Sequence, residues 1–187
     1  MKNSFKILLI LFFSVFIFNL SFSDELRFEA AKIELLEDQN IIKASDKVKI
    51  FLNNQTEING EKFIYNKKNF LGTIEKNVII NDELNGLKIY SEKIEYYKKD
   101  EIIKSNYPTK IVYKDNYVLD LNTFNFDRKN SIITSNNSSF LKDKLGNKFN
   151  VSEFIFQINE NLLKSKSLNY KDFENNKVSL ENAIINF

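Results

Sequence analysis

The chain has 187 residues, 43% of them hydrophobic, and a formal net charge of +2. That suits one domain with a real core and is short for two. It contains no Cys, no His and no Trp, which excludes disulfides, thiol and imidazole catalysis and the softer metal sites, so burial and strand pairing must hold the fold.

Lys2 and Lys6 precede an apolar run from Ile7 to Leu20, and Ser21-Phe22-Ser23 places small residues before Asp24. This pattern predicts an export signal, residues 1–23, cut after Ser23. As a helix the run spans ~21 Å, short of a ~30 Å hydrocarbon core, so a retained membrane anchor is the weaker alternative. Losing two lysines and no acid takes the charge from +2 to zero. The basic balance therefore points to no nucleic-acid partner.

Residues 24–187 are one domain built from a repeat. Ile33, Phe63, Ile94, Phe124, Phe154 and Ala183 follow one another at intervals of 30, 31, 30, 30 and 29 residues. Five residues before each stand Phe28, Ile58, Ile89, Leu119, Phe149 and Val178; two after stand Leu35, Tyr65, Tyr96, Phe126, Phe156 and Ile185. Segments such as INGEKFIY, residues 58–65, have the branched and aromatic alternation of strands. The step from three before the anchor to the anchor itself is odd, which predicts a β-bulge or bend in mid-strand that keeps both ends on one face.

Polar tetrads such as Asn66-Lys67-Lys68-Asn69 and Asp127-Arg128-Lys129-Asn130 then make hairpin turns. The recurring phrase IIKA, IIKS, IITS and LLKS at 41, 102, 132 and 162 opens the returning strand. Asn85-Gly86 and similar linkers close each unit. The expectation is an all-β fold of about eleven antiparallel strands in five and a half hairpins, with no helix after the signal. The last strand, around NAIINF, has no successor, and another subunit or a continuation of the chain is expected to cover it. One step past the apolar pair stand Lys43, Thr73, Lys104, Thr134 and Lys164. They read as a solvated face, or as cations for lipid phosphates if that face borders a trough.

The text EINGEKFIYNKKNFLGTIEKNVII (57–80), LKIYSEKIEYYKKDEIIKS (87–105) and FEAAKIELLEDQNIIKASDKVKI (28–50) resembles the OstA-like family of lipopolysaccharide transport proteins. The resemblance runs from Phe28 to Phe187. It implies an antiparallel β-jellyroll that shelters the acyl chains of lipopolysaccharide or a similar glycolipid and joins other Lpt jellyrolls edge to edge. The closing text NLLKSKSLNY and KVSLENAIINF is most similar to the N-terminal domain of LptD, with LptA and LptC related. That reading adds an outer-membrane barrel as partner and a periplasmic location at the outer membrane, although no barrel follows in this sequence. The implied lipid-facing wall is Phe28, Ile33, Ile58, Phe63, Tyr65, Ile89, Ile94, Tyr96, Phe124, Phe126, Phe154 and Phe156; an ordinary sandwich core is the competing account of the same residues. No cofactor, metal or catalytic residue is expected. The lone S-x-x-K, Ser139 to Lys142, has no partner motif.

Overall fold

The computed structural model describes residues 26–53, 55–172, 174 and 176–187; the expected export signal lies outside them. The strands are β1 (Arg27–Glu29), β2 (Lys32–Leu36), β3 (Ile41–Phe51), β4 (Thr56–Asn66), β5 (Leu71–Asp82), β6 (Leu87–Tyr97), β7 (Ile102–Ser105), β8 (Thr109–Tyr113), β9 (Tyr117–Leu121), β10 (Phe124–Asp127), β11 (Ile132–Ser135), β12 (Ser139–Asp143), β13 (Lys148–Gln157), β14 (Leu162–Lys171) and β15 (Lys177–Asn186). All belong to one antiparallel sheet of fifteen strands. A single 3₁₀ turn, Ile158–Glu160, is the one helical element among the described residues.

Fifteen segments make eleven passes of the chain, because four passes are cut in two at the bend. β1 and β2 both pair with β3, and β7 and β8 both pair with β6. β9 with β10, and β11 with β12, are the other two divided passes. Since every pass bends at the same place, the sheet folds over into two facing halves. The upper half carries β2, β7, β10 and β11, and the lower half carries β1, β8, β9 and β12; β3 to β6 and β13 to β15 run through both.

The bend has local causes. In β4 and β6 the inward set shifts phase, from Ile58 to Phe63 and from Ile89 through Ser91 to Ile94, all buried. β3 and β5 meet this by placing two residues in left-handed backbone, Asp46 and Lys47, then Lys76 and Asn77. The ladder registers slip at those points, as β-bulges require. Later returning strands break outright. Between β7 and β8, Pro108 offers no amide to a ladder.

The final Ser of IIKS and IITS sits at these breaks. The Ser105 hydroxyl donates to the Lys93 carbonyl at 2.7 Å and accepts the Tyr107 amide at 3.1 Å. Ser135 Oγ accepts the Asn137 amide at 3.4 Å. A short hydroxyl thus replaces ladder bonds lost where the strand stops.

At the outer ends of the upper half, each turn bonds the one before it. The amides of Lys67, Lys98, Arg128, Ile158 and Phe187 donate to the carbonyls of Asn40, Phe70, Glu101, Ser131 and Asn161 at 2.9–3.1 Å. The 30-residue repeat of the sequence is this one-turn-per-unit stacking.

Candidate functional site

The inward faces of the two halves form continuous apolar rows. In the upper half, register joins Leu35, Ile42, Tyr65, Gly72, Tyr96, Ile103, Phe126, Ile133, Phe156, Leu163 and Ile185 across all eleven passes. In the lower half it joins Phe28, Ile50, Ile58, Ile80, Ile89, Ile111, Leu119, Leu141, Phe149, Tyr170 and Val178. With strands ~4.8 Å apart, each row is about 48 Å long.

Ten of the twelve residues predicted for the wall are buried on these inward faces: Ile58, Phe63, Tyr65, Ile89, Ile94, Tyr96, Phe124, Phe126, Phe154 and Phe156. Phe28 is half-buried and packs edge-on to Phe63 with ring centroids 5.4 Å apart. Ile33 is 52% exposed, because β2 is an edge strand with no strand beyond it among the described residues. Leu35 on the same strand is 53% exposed, and at the other end Val178 and Leu180 on β15 are 46% and 50% exposed. The apolar interior therefore runs out into solvent at both ends of the sheet.

From the middle strands toward the β15 edge, the interior is filled by its own side chains. Tyr113 is wholly buried and meets Phe156 and Phe187 edge-on, at 5.0 and 5.7 Å between ring centroids. Phe187 also packs on Tyr117 at 4.6 Å. At this point the halves also meet through polar groups, the Tyr113 hydroxyl and Lys114 Nζ both donating to Asn161 Oδ1. Sequence reasoning missed Tyr113, Lys114 and Asn161, which lie 47–48 residues apart and belong to no motif. It also missed the second apolar residue of each IIKS-type phrase, Ile42, Ile103, Ile133 and Leu163, which faces inward. Those repeat at the same period and were there to be found.

Lys43, Lys104 and Lys164 are not at a trough rim. They lie on the outer face of the upper half, in one row with Ile64, Glu95, Ile155 and Ile184, and Lys104 sits over the Tyr97 ring at 5.0 Å. This outer face carries ordinary surface ion pairs. The Lys93 ammonium, 2.8 Å from Glu75, is held above its usual range by that hydrogen bond. On the lower half, Lys49 likewise holds the Glu57 carboxyl below its usual range. A concavity of about 590 Å³ lies on the outside of the lower half, with Tyr90, Lys110, Asp120 and Phe140 among its walls. Its floor takes in the buried Val78, Ser91, Thr109 and Leu121 at the bend, but none of the residues of the two interior rows. Ser139 and Lys142 point to opposite faces of β12, Ser139 buried and donating to the Asn137 carbonyl, so they form no nucleophile pair.

Fold and interior together define an all-β jellyroll, a doubled-over antiparallel sheet whose apolar lining is exposed at its two ends. Among solved structures it is similar to LptH, the LptA-homologous periplasmic component of the conserved lipopolysaccharide transport device from Pseudomonas aeruginosa, with a TM-score of 0.51 and 14% identity over 58% of this chain and 80% of LptH. At that identity the likeness establishes the fold. No protein-family model and no curated protein matches the chain.

Proposed function

We propose that the protein is a non-enzymatic lipid-transport module of the OstA-like type, which shelters the acyl chains of lipopolysaccharide or a similar glycolipid between its two half-sheets. The observation that carries this reading is the pair of apolar rows, with Ile33 and Leu35 exposed on the strand at one edge of the sheet and Val178 and Leu180 exposed on the strand at the other. A self-contained core has reason to cap such ends; a conduit has reason to leave them bare for the next jellyroll. At ~0.8 kcal/mol per buried methylene, a twelve-carbon chain gains on the order of 10 kcal/mol by staying out of water, so a matching apolar strip lets it travel without covalent chemistry. Phe28, Ile58, Phe63, Tyr65, Ile89, Ile94, Tyr96, Phe124, Phe126, Phe154 and Phe156 are the proposed lipid-facing wall, and Ile33 its exposed lip.

The fold likeness to LptH supports a periplasmic role, and the closing text of the chain supports the N-terminal domain of LptD in particular. In that case an outer-membrane barrel is the partner at one edge. In the LptA-like alternative both edges meet other jellyrolls. Export by residues 1–23 belongs to either reading.

The packed aromatic centre favours a second account, a structural β-repeat that binds no lipid. Native mass spectrometry of the purified protein, with and without lipopolysaccharide, separates the two. Retained lipid and concentration-dependent edge-to-edge oligomers support the conduit. A lipid-free monomer that ignores added lipopolysaccharide overturns it and leaves the structural repeat.

A further inference from the structure

The mouth between the half-sheets is held shut at one identifiable place. Asn161 closes the turn before β14 in left-handed backbone, its amide bonded to the Ile158 carbonyl. Its side-chain oxygen receives the Tyr113 hydroxyl, from the last residue of β8 in the opposite half, and, at 2.6 Å, Lys114 Nζ, from the turn that follows. The Asn161 carbonyl also holds the Phe187 amide at 2.9 Å, which seats the Phe187 ring between Tyr113, Tyr117 and Phe156. Three contacts thus converge on Asn161, two of them across the gap that an acyl chain would enter.

We propose that Asn161, Tyr113 and Lys114 form a latch across the mouth of the trough, which parts to admit acyl chains and is drawn open by the anionic headgroup that accompanies them. The inference rests on the lipid-carrying reading and adds its gate. Lys114 is exposed, and its partners are both neutral: an amide oxygen that is also shared with Tyr113, and the Tyr113 ring, 5.0 Å from its ammonium. A lipid phosphate is the stronger acceptor for an ammonium, because charge-assisted bonds outweigh neutral ones. When Lys114 turns to a phosphate, Asn161 retains Tyr113 alone, and the aromatic plug behind it can be displaced by the chains the headgroup brings.

The test is stopped-flow uptake of two fluorescent lipids with the same pair of lauroyl chains, one with a phosphate headgroup and one uncharged. The proteins are the purified chain and its Tyr113→Phe, Asn161→Ala and Lys114→Met variants, each first checked by thermal unfolding. Tyr113→Phe keeps the ring and Lys114→Met keeps most of the stem, so neither empties the core. The expected result is faster uptake of the uncharged lipid by Tyr113→Phe and Asn161→Ala, roughly three- to tenfold, the size one such hydrogen bond carries. The unaltered chain is expected to take the phosphate lipid faster than the uncharged one, and Lys114→Met to abolish that preference. Millimolar inorganic phosphate is expected to leave uptake of the uncharged lipid unchanged; equal acceleration by the free ion would overturn the headgroup assignment. Uptake at one rate by all four proteins overturns the latch and leaves the trough standing. No uptake by any of them overturns the trough, and the latch with it.

Discussion

Gly60 on β4 faces Ile74 on β5 so closely that a Cβ at residue 60 would stand 2.6 Å from Ile74 Cγ2. The contact lies at the bend, where the inward faces of the two halves converge and space is least. Ile74 is wholly buried and β-branched, so it has little freedom to retreat. Gly60→Ala is therefore expected to cost about 1–3 kcal/mol by overpacking. Ile74→Ala alone is expected to cost about 2–5 kcal/mol through the cavity it leaves. In the Ile74→Ala background the added methyl of Gly60→Ala fills part of that cavity, so its cost is expected to vanish. Urea unfolding of the four proteins measures the coupling, and simple additivity would show that the two sites do not share this space.

The serine closing IIKS makes a second contrast. Ser105 bonds the Lys93 carbonyl and the Tyr107 amide and lies 3.1 Å from Ser91 Oγ, which also receives the Thr109 hydroxyl. Ser135, at the equivalent break, reaches the Asn137 amide at 3.4 Å. Ser105→Ala leaves buried partners unsatisfied and is expected to cost about 1–3 kcal/mol, with Ser135→Ala well below it. Equal urea midpoint shifts would mean that the buried hydroxyl cluster adds nothing to the bend.

What the sequence revealed of this bend, and what it hid, follow from how the signals are carried. The odd step between Ile58 and Phe63 was visible as spacing, and both residues are buried on the inner side as it required. The paired left-handed residues Asp46-Lys47 and Lys76-Asn77 were not visible, since Lys in that conformation is imposed by the ladder rather than preferred by the residue. Burial of the terminal units was hidden for a different reason. Ile33 and Leu180 occupy the same repeat positions as Phe63 and Val151, yet the first pair is exposed and the second buried, because burial is set by neighbouring strands. The Tyr113–Asn161 contact joins two units at different repeat positions, and no periodicity reports such a pairing.

Ser131 ends the turn between β10 and β11 with φ of 55°. Its carbonyl accepts the Ile158 amide, a main-chain bond that any residue keeps. An L-residue pays for that conformation and glycine does not, so Ser131→Gly is expected to stabilise the fold by a few tenths to about 1 kcal/mol. A higher urea midpoint at unchanged m-value is the expected readout. A lower midpoint would mean that the Ser131 side chain holds the turn.

Asp127 accepts the Asn130 side-chain amide at 2.7 Å and the Asn130 backbone amide at 3.0 Å. These bonds, the side-chain one foremost, favour the carboxylate and hold its pKa below the ordinary 3.8. With the folded value below the unfolded one, the stabilisation is complete above that ordinary value and is lost as pH falls through the folded one. Asp127→Asn is therefore expected to unfold at lower urea than the unaltered chain at pH 7. The gap is expected to narrow steadily below pH 3.8. A gap that stays constant with pH would assign the effect to turn geometry rather than charge.

Leu180 and Phe154 separate folding from joining. Both face the interior, but Leu180 is 50% exposed on β15, which pairs with β14 alone, whereas Phe154 is 1% exposed with strands on either side. An acidic group at 154 would be forced into an apolar interior, and Phe154→Asp is expected to cost at least 3–5 kcal/mol, roughly the whole stability of a marginal domain. At 180 the carboxylate stays in water, and Leu180→Asp is expected to stay within about 0.5 kcal/mol of the unaltered chain. If the exposed end is where the next jellyroll docks, the same substitution places a charge in the apolar joint. Sedimentation velocity is then expected to show Leu180→Asp as a monomer at concentrations where the unaltered chain forms chains of copies. Association that survives both Leu180→Asp and Leu35→Glu would move the joint away from the open ends of the trough, since between them these two substitutions charge both.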